Sequence, residues 1–233
     1  MALYKIADII TEYRARGSML RGRREKYGIG DDVQPEISFD ITDEEIISYR
    51  RKTPLLNDTE REYMIAGAKF YKELISFGGM MLHSSAVVLD GEAYLFSAPS
   101  GTGKSTHTSL WLQHFGDRAF ILNDDKPAIR VTDNGIFVYG TPFSGKNDIS
   151  ENTGVPLKAV AVLSRGDVNT AKKLSEPQAI YSLLNQSVRP QEPVLMDCLM
   201  KTVERIITDI PVIAFSCNIS EEAVITAYNA MRG

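Results

Sequence analysis

The chain of 233 residues is 43% hydrophobic, which is enough to bury the core of one large domain or of a core domain with an appendage. Its formal net charge of −4 lacks the basic excess that is typical of proteins binding nucleic acids or anionic membranes. The two cysteines, Cys198 and Cys217, have neither metal-ligand nor redox spacing, and no apolar run reaches the ~20 residues of a membrane span. We therefore expect a cytoplasmic protein with reduced cysteines and with neither nucleic acid nor membrane among its partners.

The first 79 residues are predicted to form a small α+β lobe. The stretches LYKIADIITEY and PEISFDI have the β-branched, partly alternating composition of strands. Thr42 and Glu45 form a capping box that begins a short helix, and Asn57, Asp58 and Thr59 are candidate N-caps of a second, amphipathic helix. The basic run RARGSMLRGRREK, residues 14–26, is followed at once by the acidic DDVQPE and is typical of a solvated loop. The lobe carries no chemical motif, and we expect it to pack on a core of residues 80–233.

From Met80 onward, strands alternate with glycine-containing loops. The stretch MLHSSAVVLDGEAYLFSA predicts two strands joined by a tight turn at Asp90-Gly91, because glycine tolerates positive φ. SGTGKSTHTSLWLQHFG follows as a loop, a helix and a glycine stop. The remaining predicted elements are the strands RAFILNDD, AIRV, GIFVYG, LKAVAVL and PVIAFSC, helices near residues 176–186 and 193–208, and a C-terminal helix capped by Ser220. This order of elements predicts an α/β fold.

Residues 98–105 fit the phosphate-loop (Walker A) pattern with one substitution, alanine for the first glycine. Small residues allow backbone N–H groups to converge on phosphate oxygens, while Lys104 reaches the β- and γ-phosphates and Ser105 ligates Mg²⁺. The predicted strand before the loop and helix after it favour this interpretation over a chance turn of glycine and serine. The predicted nucleotide-binding residues are Ala98, Pro99, Ser100, Gly101, Thr102, Gly103, Lys104, Ser105 and Thr106.

Paired acids follow in ILNDDKP, about twenty residues beyond the lysine. Asp124 and Asp125 come at the predicted end of a strand beside the phosphate-loop strand, where proteins of this kind hold a metal. One carboxylate can bind the metal while the other accepts the proton of an attacking hydroxyl. The alternative is a polar turn before Pro127.

Four further residues are candidates with weaker support. His83 precedes the loop by one hairpin, so strand pairing would bring it near the loop entrance, although a lone histidine is more often structural. Lys146 lies in YGTPFSGKND, which is either a connector or a second anion-contacting loop. Arg165 and Arg189 follow core elements and either clamp charge in the transition state or are ordinary surface arginines.

Taken in order, LHSSAVVLDG, LFSAPSGTGKST and ILNDDKP resemble the core of the HPr kinase/phosphorylase family, which belongs with the ATP-dependent phosphoenolpyruvate carboxykinases. The resemblance covers roughly residues 80–165 and implies a mixed, strongly twisted sheet with flanking helices. It implies that Asp124 is the general base, that Asp125 is the metal partner with Ser105, and that His83 lies at the site's edge. A looser likeness extends to short HPr-kinase-like bacterial proteins with a GTPFSGK-type loop.

The chain also departs from both families. The kinase family's glycine-rich signature after the paired acids is absent, which puts its protein substrate and its phosphorolytic activity in doubt. The chain is far shorter than a carboxykinase and lacks a recognisable transition-metal site and an arginine motif for oxaloacetate.

The prediction is therefore a kinase that uses ATP and Mg²⁺ to phosphorylate a hydroxyl, serine-like in character, on a small molecule, peptide or protein. The catalytic residues would be Asp124, Lys104, His83, Lys146 and Arg189. The alternatives are a carboxykinase-like enzyme acting on a carboxylic acid and a regulatory module that binds ATP without transferring phosphate. The sequence leaves the oligomeric state open between a monomer and a homo-oligomer, the second by analogy with the rings that the kinase family forms.

Overall fold

The N-terminal segment begins with a β-hairpin. The computed structural model of the chain describes residues 1–30 and 33–232, so Asp31 and Asp32, which begin the acidic stretch, lie outside the described residues. Strand β1 (Ala2–Ile6) pairs antiparallel with β2 (Ile9–Tyr13), and β3 (Ile37–Phe39) joins β2 in parallel. The predicted strands of this lobe thus form a three-stranded sheet of their own.

Two of the three α-helices in this segment, those capped at Thr42 and Asn57, begin where the sequence predicts. Helix α1 (Ser18–Arg23) is followed by α2 (Asp43–Lys52) and α3 (Asp58–Leu74). Thr42 and Glu45 form the predicted capping box at α2, and Asn57 forms another at α3 with Glu60.

The basic run is not a solvated loop, contrary to the sequence-based prediction. Its residues form α1 and a 3-10 turn from Arg24 to Tyr27. Leu20 and Tyr27 are fully buried, and the guanidinium carbon of Arg23 lies 4.8 Å from the centre of the Tyr63 ring. This segment forms helical structure because Leu20 and Tyr27 pack in the core. The Arg23 guanidinium also makes a cation–π contact with the Tyr63 ring.

A nine-stranded sheet forms the rest of the scaffold. Its strands run in the order β4-β8-β9-β10-β6-β5-β7, and β12 pairs with both β10 and β11. The bounds are β4 (Gly79–Met81), β5 (Ser84–Leu89), β6 (Glu92–Ser97), β7 (Ala119–Asn123), β8 (Ala128–Thr132), β9 (Gly135–Tyr139), β10 (Gly154–Arg165), β11 (Thr170–Lys173) and β12 (Val212–Cys217). The helices around it are α4 (Lys104–Phe115), α5 (Glu176–Asn185), α6 (Pro193–Asp209) and α7 (Glu221–Met231).

The sheet is mixed and curls around its longest strand, β10. The first residues of β10 pair antiparallel with β9, whereas its later residues pair in parallel with β6 and β12. One correction concerns the strand of the paired acids. The sequence places it beside the glycine-loop strand, but β5 lies between β6 and β7 and is antiparallel to both.

Helices cover both faces of the sheet because side chains alternate along a strand. Val88 and Leu95 face the cluster that includes α5 and α6, whereas Val87 and Phe96 face the cluster that includes α4 and α7. In a third apolar cluster, the N-terminal segment packs against Tyr139, the last residue of β9, and against Phe143 in the loop that follows. None of the helices in the described ranges combines the length and the apolarity that crossing a bilayer requires.

Candidate functional site

Three strands deliver polar residues to one edge of the large sheet. Ser84, the first residue of β5, pairs with Ser97, the last of β6, and Asn123, the last of β7, pairs with Ala86. Because β5 is antiparallel to its two neighbours, its start coincides with their ends. The predicted site residues His83, Asp124 and the loop after Ser97 therefore meet at this edge.

The glycine loop, residues 98–106, connects β6 to α4. Gly101 and Gly103 have φ of 77° and 120°, a region that L side chains rarely adopt. The side chain of Arg165 donates to the carbonyl oxygens of Thr102, at 3.1 Å, and Gly101, at 2.6 Å. This strand-loop-helix arrangement leaves Ser100, Gly101 and Ser105 exposed at the helix N-terminus.

Lys104 is buried although it lies at the first position of α4. Its ammonium donates to the carbonyl oxygen of Ala98 at 2.9 Å and lies 3.1 Å from His83 Nε2. Burial lowers the pKa of Lys104, and the nearby carboxylates of Asp125 and Asp124 oppose that shift. The lysine is thus held at the loop by neighbours from two other segments.

His83 is fixed from both ring nitrogens. Nδ1 lies 2.9 Å from Oε1 of Gln186, which can only accept a hydrogen bond from it, and Nε2 lies 3.1 Å from Lys104 Nζ. The same Nε2 lies 3.3 Å from Asp125 Oδ1. Sequence analysis missed Gln186, and the sequence offers no signal for it, because it lies 103 residues from His83 along the chain.

The paired acids are held in different ways. Asp124 Oδ1 accepts a hydrogen bond from Ser85 Oγ at 2.8 Å. Asp125 contacts His83 through one oxygen and Lys126 through the other. Burial alone would raise the pKa of Asp125, but the hydrogen bond from His83 and the charge of Lys126 outweigh it and lower the pKa to about 2.

Asn123 sets the turn that presents the acids. Its Oδ1 accepts from the backbone N–H groups of Asp125, at 3.1 Å, and Lys126, at 2.8 Å. Its Nδ2 donates to the Thr141 carbonyl at 3.0 Å. This fully buried amide therefore ties the acidic turn to the second glycine-containing loop.

The second loop, residues 139–148, packs directly on the acids. Gly145 has φ of 74°, and a Cβ placed there would lie 2.8 Å from Asp125 Cβ. The Gly145 N–H donates to the hydroxyl of Tyr63 at 3.1 Å, which links the loop to α3. Lys146 is exposed beside this contact.

These groups surround one main cleft of about 720 Å³ between the sheet edge and the N-terminal segment. Of the predicted site residues, the cleft brings together His83, Ser100, Gly101, Gly103, Lys104, Ser105, Thr106, Asp124, Asp125, Lys146 and Arg165. Ala98 is buried behind the loop, while Pro99 and Thr102 belong to the loop but lie outside this lining. Arg189 is exposed between α5 and α6 and does not line the cleft.

The cleft also contains residues that the sequence analysis did not select. Lys126 follows the acids directly, so its position in ILNDDKP was a usable signal. Tyr63, Met64, Met19 and Leu56 come from the N-terminal segment, where no motif marks them. Only the packing of that segment against the sheet edge brings them to the site.

A metal site in a protein needs several donor side chains close together. Within residues 1–30 and 33–232, no group of three or more His, Cys, Asp or Glu side chains could hold a metal ion by itself. Mg²⁺ often binds through one or two carboxylates together with substrate phosphates and water. The exposed Ser105 hydroxyl and the Asp125 carboxylate, which line the same cleft as Lys104, are donors of the kind that such a site uses.

Comparison with known proteins gives the family. A family model described as "SynChlorMet cassette protein ScmC" matches residues 61–222. The chain belongs to the ScmC family. The matched range of this ScmC-family chain contains the glycine loop, the paired acids and the second loop. No curated protein matches it.

A search of solved structures found a weak likeness to the Hpr(Ser) kinase/phosphatase from Coxiella burnetii. The two chains are 12% identical, with a TM-score of 0.36, and the match covers 66% of this chain and 99% of that one. The likeness is limited to the fold. Membership of this ScmC-family protein in the HPr kinase family stays a prediction from its sequence.

Proposed function

We propose that this protein is an ATP-dependent kinase that phosphorylates a hydroxyl group on a small molecule, peptide or protein. The observation that carries the proposal is the convergence of Lys104, His83 and the paired acids on one cleft at the N-terminus of α4. Each group has a distinct task in phosphoryl transfer, where catalysis consists mainly of positioning and charge stabilisation.

The glycine loop supplies the grip on the phosphates of ATP. Its positive-φ glycines allow the tight turn that leads into α4, and the dipole at the N-terminus of that helix favours an anion. The Lys104 ammonium already lies at the loop and would exchange its contact with His83 for a phosphate oxygen. Arg165 supports the loop from its carbonyl side.

Ser105 and Asp125 are the residues that would hold Mg²⁺. The low pKa of Asp125, about 2, keeps its carboxylate ionised as a metal ligand must be. When bound, Mg²⁺ neutralises charge on the phosphates.

Asp124 is assigned as the general base. The low pKa of Asp125 makes its carboxylate a weak proton acceptor. Asp124 faces the cleft and is oriented by Ser85, which is in turn hydrogen-bonded to Thr108 on α4 at 2.9 Å. In the transfer step the acceptor hydroxyl gives its proton to Asp124, its oxygen bonds the γ-phosphorus, and the bond from that phosphorus to the bridging oxygen breaks to release ADP.

Lys146 is assigned to steady the transferring group, since it lines the cleft beside Asp125. The acceptor would enter the cleft near Lys146, where Tyr63 and Met64 of the N-terminal segment also line it. Arg189 receives no role in this scheme.

The test uses ATP labelled on the γ-phosphate and an extract of the source organism separated into protein and small-molecule fractions. The wild type and Asp133→Asn, a control at an exposed hairpin turn, should label an acceptor equally. Asp124→Asn should bind ATP with unchanged affinity but transfer phosphate at least about 100-fold more slowly. Equal labelling by Asp124→Asn would refute the choice of base, and tight ATP binding without any labelled acceptor would favour a nucleotide-binding regulatory module.

A further inference from the structure

A second cavity of about 670 Å³ lies on the other side of the glycine loop from the main cleft. Its walls combine apolar side chains from α4, β10 and β12, namely Leu110, Leu163 and Cys217, with the exposed Ile219 at its rim. Asp167 and Asn218 add polar atoms at the rim. This mixture of an apolar surface and a few polar groups is typical of a small-molecule pocket, and the volume is within the usual range.

The second cavity is continuous with the proposed phosphate site. Gly103, Thr106 and Arg165 line both it and the main cleft. A ligand whose phosphates lie at the glycine loop can therefore direct its terminal phosphate toward Asp124 and its other end into the second cavity. The acceptor then has the main cleft to itself.

The rim of the second cavity is preorganised by hydrogen bonds between two loops. Asn218 Nδ2 donates to the Asp167 carbonyl at 3.1 Å, and the Gly166 N–H donates to the Cys217 carbonyl at 3.0 Å. Gly166 packs closely on β12, since a Cβ there would lie 2.1 Å from Ser216 Oγ and the serine side chain would have to move. A rim held in this way needs little ordering when a ligand binds.

His107 contributes a polar group to the same lining. The Trp111 indole donates to His107 Nε2 at 3.1 Å, which leaves Nδ1 as the protonated nitrogen. Among the described residues nothing accepts from this buried Nδ1. Burial lowers the pKa of His107 to about 4, so the ring is neutral near pH 7 and adds no charge to the wall.

We infer that the second cavity binds the nucleoside part of the nucleotide whose phosphates the glycine loop holds. The apolar side chains of Leu110, Leu163 and Ile219 would contact the faces of the base, and the exposed Asp167 carboxylate would accept from ribose hydroxyls. This inference rests on the proposed function, because it needs phosphates at the glycine loop.

The experiment compares the affinities of ATP and inorganic tripolyphosphate, each with Mg²⁺, by calorimetry. Tripolyphosphate carries the phosphate chain without a nucleoside. The wild type should bind ATP at least about tenfold more tightly than tripolyphosphate. Leu110→Trp, which fills the second cavity, should weaken ATP binding to the level of tripolyphosphate and leave tripolyphosphate binding unchanged. Ile225→Trp, on the exposed side of α7, is the control for added bulk and should change neither affinity.

A milder pair of variants keeps the inference testable if Leu110→Trp does not fold. Ile219→Ser, at the exposed rim, should weaken ATP binding severalfold, whereas Val168→Ser, exposed in the facing loop but outside the lining, should not. Equal wild-type affinities for ATP and tripolyphosphate would overturn the nucleoside assignment and leave the phosphate site standing. Binding of neither ligand would overturn the proposed function and the nucleoside assignment together.

Discussion

Lys104 Nζ lies 3.1 Å from His83 Nε2, so the first residue of α4 and the residue before β5 meet at the sheet edge. The ammonium and the imidazole come from segments that are 21 residues apart in sequence. The Asp125 carboxylate lies 3.3 Å from the same nitrogen. The imidazole thus lies between a buried cation and a carboxylate that is itself paired with Lys126.

Lys104→Met should remove phosphate affinity without lowering stability. Methionine keeps the length of the side chain but removes an ammonium whose burial is unfavourable. We expect the dissociation constant for ATP to rise at least about tenfold and the free energy of unfolding to stay within about 1 kcal/mol of the wild type. Calorimetry and denaturant titration measure the two quantities. Lys72→Met, at an exposed ion pair with Glu192, is the control, and a large stability loss in Lys104→Met alone would mean that the lysine is structural.

Gly145→Ala should slow phosphate transfer by displacing Asp125. The added Cβ would lie 2.8 Å from Asp125 Cβ, and the positive φ of position 145 adds backbone strain. We expect a loss of about 1 to 3 kcal/mol in the free energy of unfolding together with a strongly reduced transfer rate. Gly135→Ala, also at positive φ but 3.9 Å from its nearest neighbour, should lose stability and keep its transfer rate. Equal transfer rates for the two variants would show that the contact between Gly145 and Asp125 does not affect phosphate transfer.

Because His107 is buried, the free energy of unfolding should be lower at pH 5 than at pH 7. Burial lowers its pKa from 6.5 to about 4 in the folded protein, so between these values the unfolded chain binds more protons. The contribution of His107 is fully present above pH 6.5 and decreases as the pH falls toward 4. Between pH 7 and pH 5 the loss should be about 2 kcal/mol.

The measurement is denaturant unfolding at the two pH values for the wild type and for His107→Phe. The variant should show a smaller difference between pH 7 and pH 5, whatever its stability at pH 7. His114→Phe, at a more exposed histidine paired with Glu221, is the control and should keep the wild-type difference. An unchanged difference in His107→Phe would show that other groups cause the acid sensitivity.

Arg23→Gln should destabilise the protein, although Arg23 belongs to the basic run of residues 14–26, whose sequence predicts a solvated loop. Its buried guanidinium lies over the Tyr63 ring and 3.5 Å from Asp148. We expect a loss of about 1 to 2 kcal/mol, compared with at most about 0.5 kcal/mol for Arg21→Gln at an exposed position of the same helix. Thermal unfolding followed by circular dichroism measures both, and equal effects would mean that the contact with Tyr63 contributes little.

Local signals predicted most of the secondary structure. The capping residues Thr42, Asn57 and Ser220 mark true helix starts, and Asp90-Gly91 forms the tight turn between β5 and β6. The short strands β4 and β11 escaped prediction because three or four residues carry too little periodicity. The basic run was misread because charge dominates its composition, whereas burial of Leu20 and Tyr27 decides its structure.

Some residues of the candidate site could also be predicted from the sequence, and others could not. His83, the glycine loop, the paired acids and Lys146 could be selected from residue type and order, and all of them contribute to the main cleft. Gln186, Ser85 and Tyr63 could not, because each acts through a contact between segments distant in sequence. Arg189 was selected as an arginine in a loop after a core element, and it lies outside the cleft.

The sequence by itself determined which chemical groups are present and the order of the elements that carry them, because glycine conformation, helix caps and side-chain chemistry are local properties. Only the tertiary structure decided that β5 separates β6 from β7, that Lys104 meets His83, and that Asp125 is paired on both oxygens while Asp124 is not. These relationships depend on strand pairing and on packing between segments that are distant in sequence. Neither segment alone determines which partner it will contact.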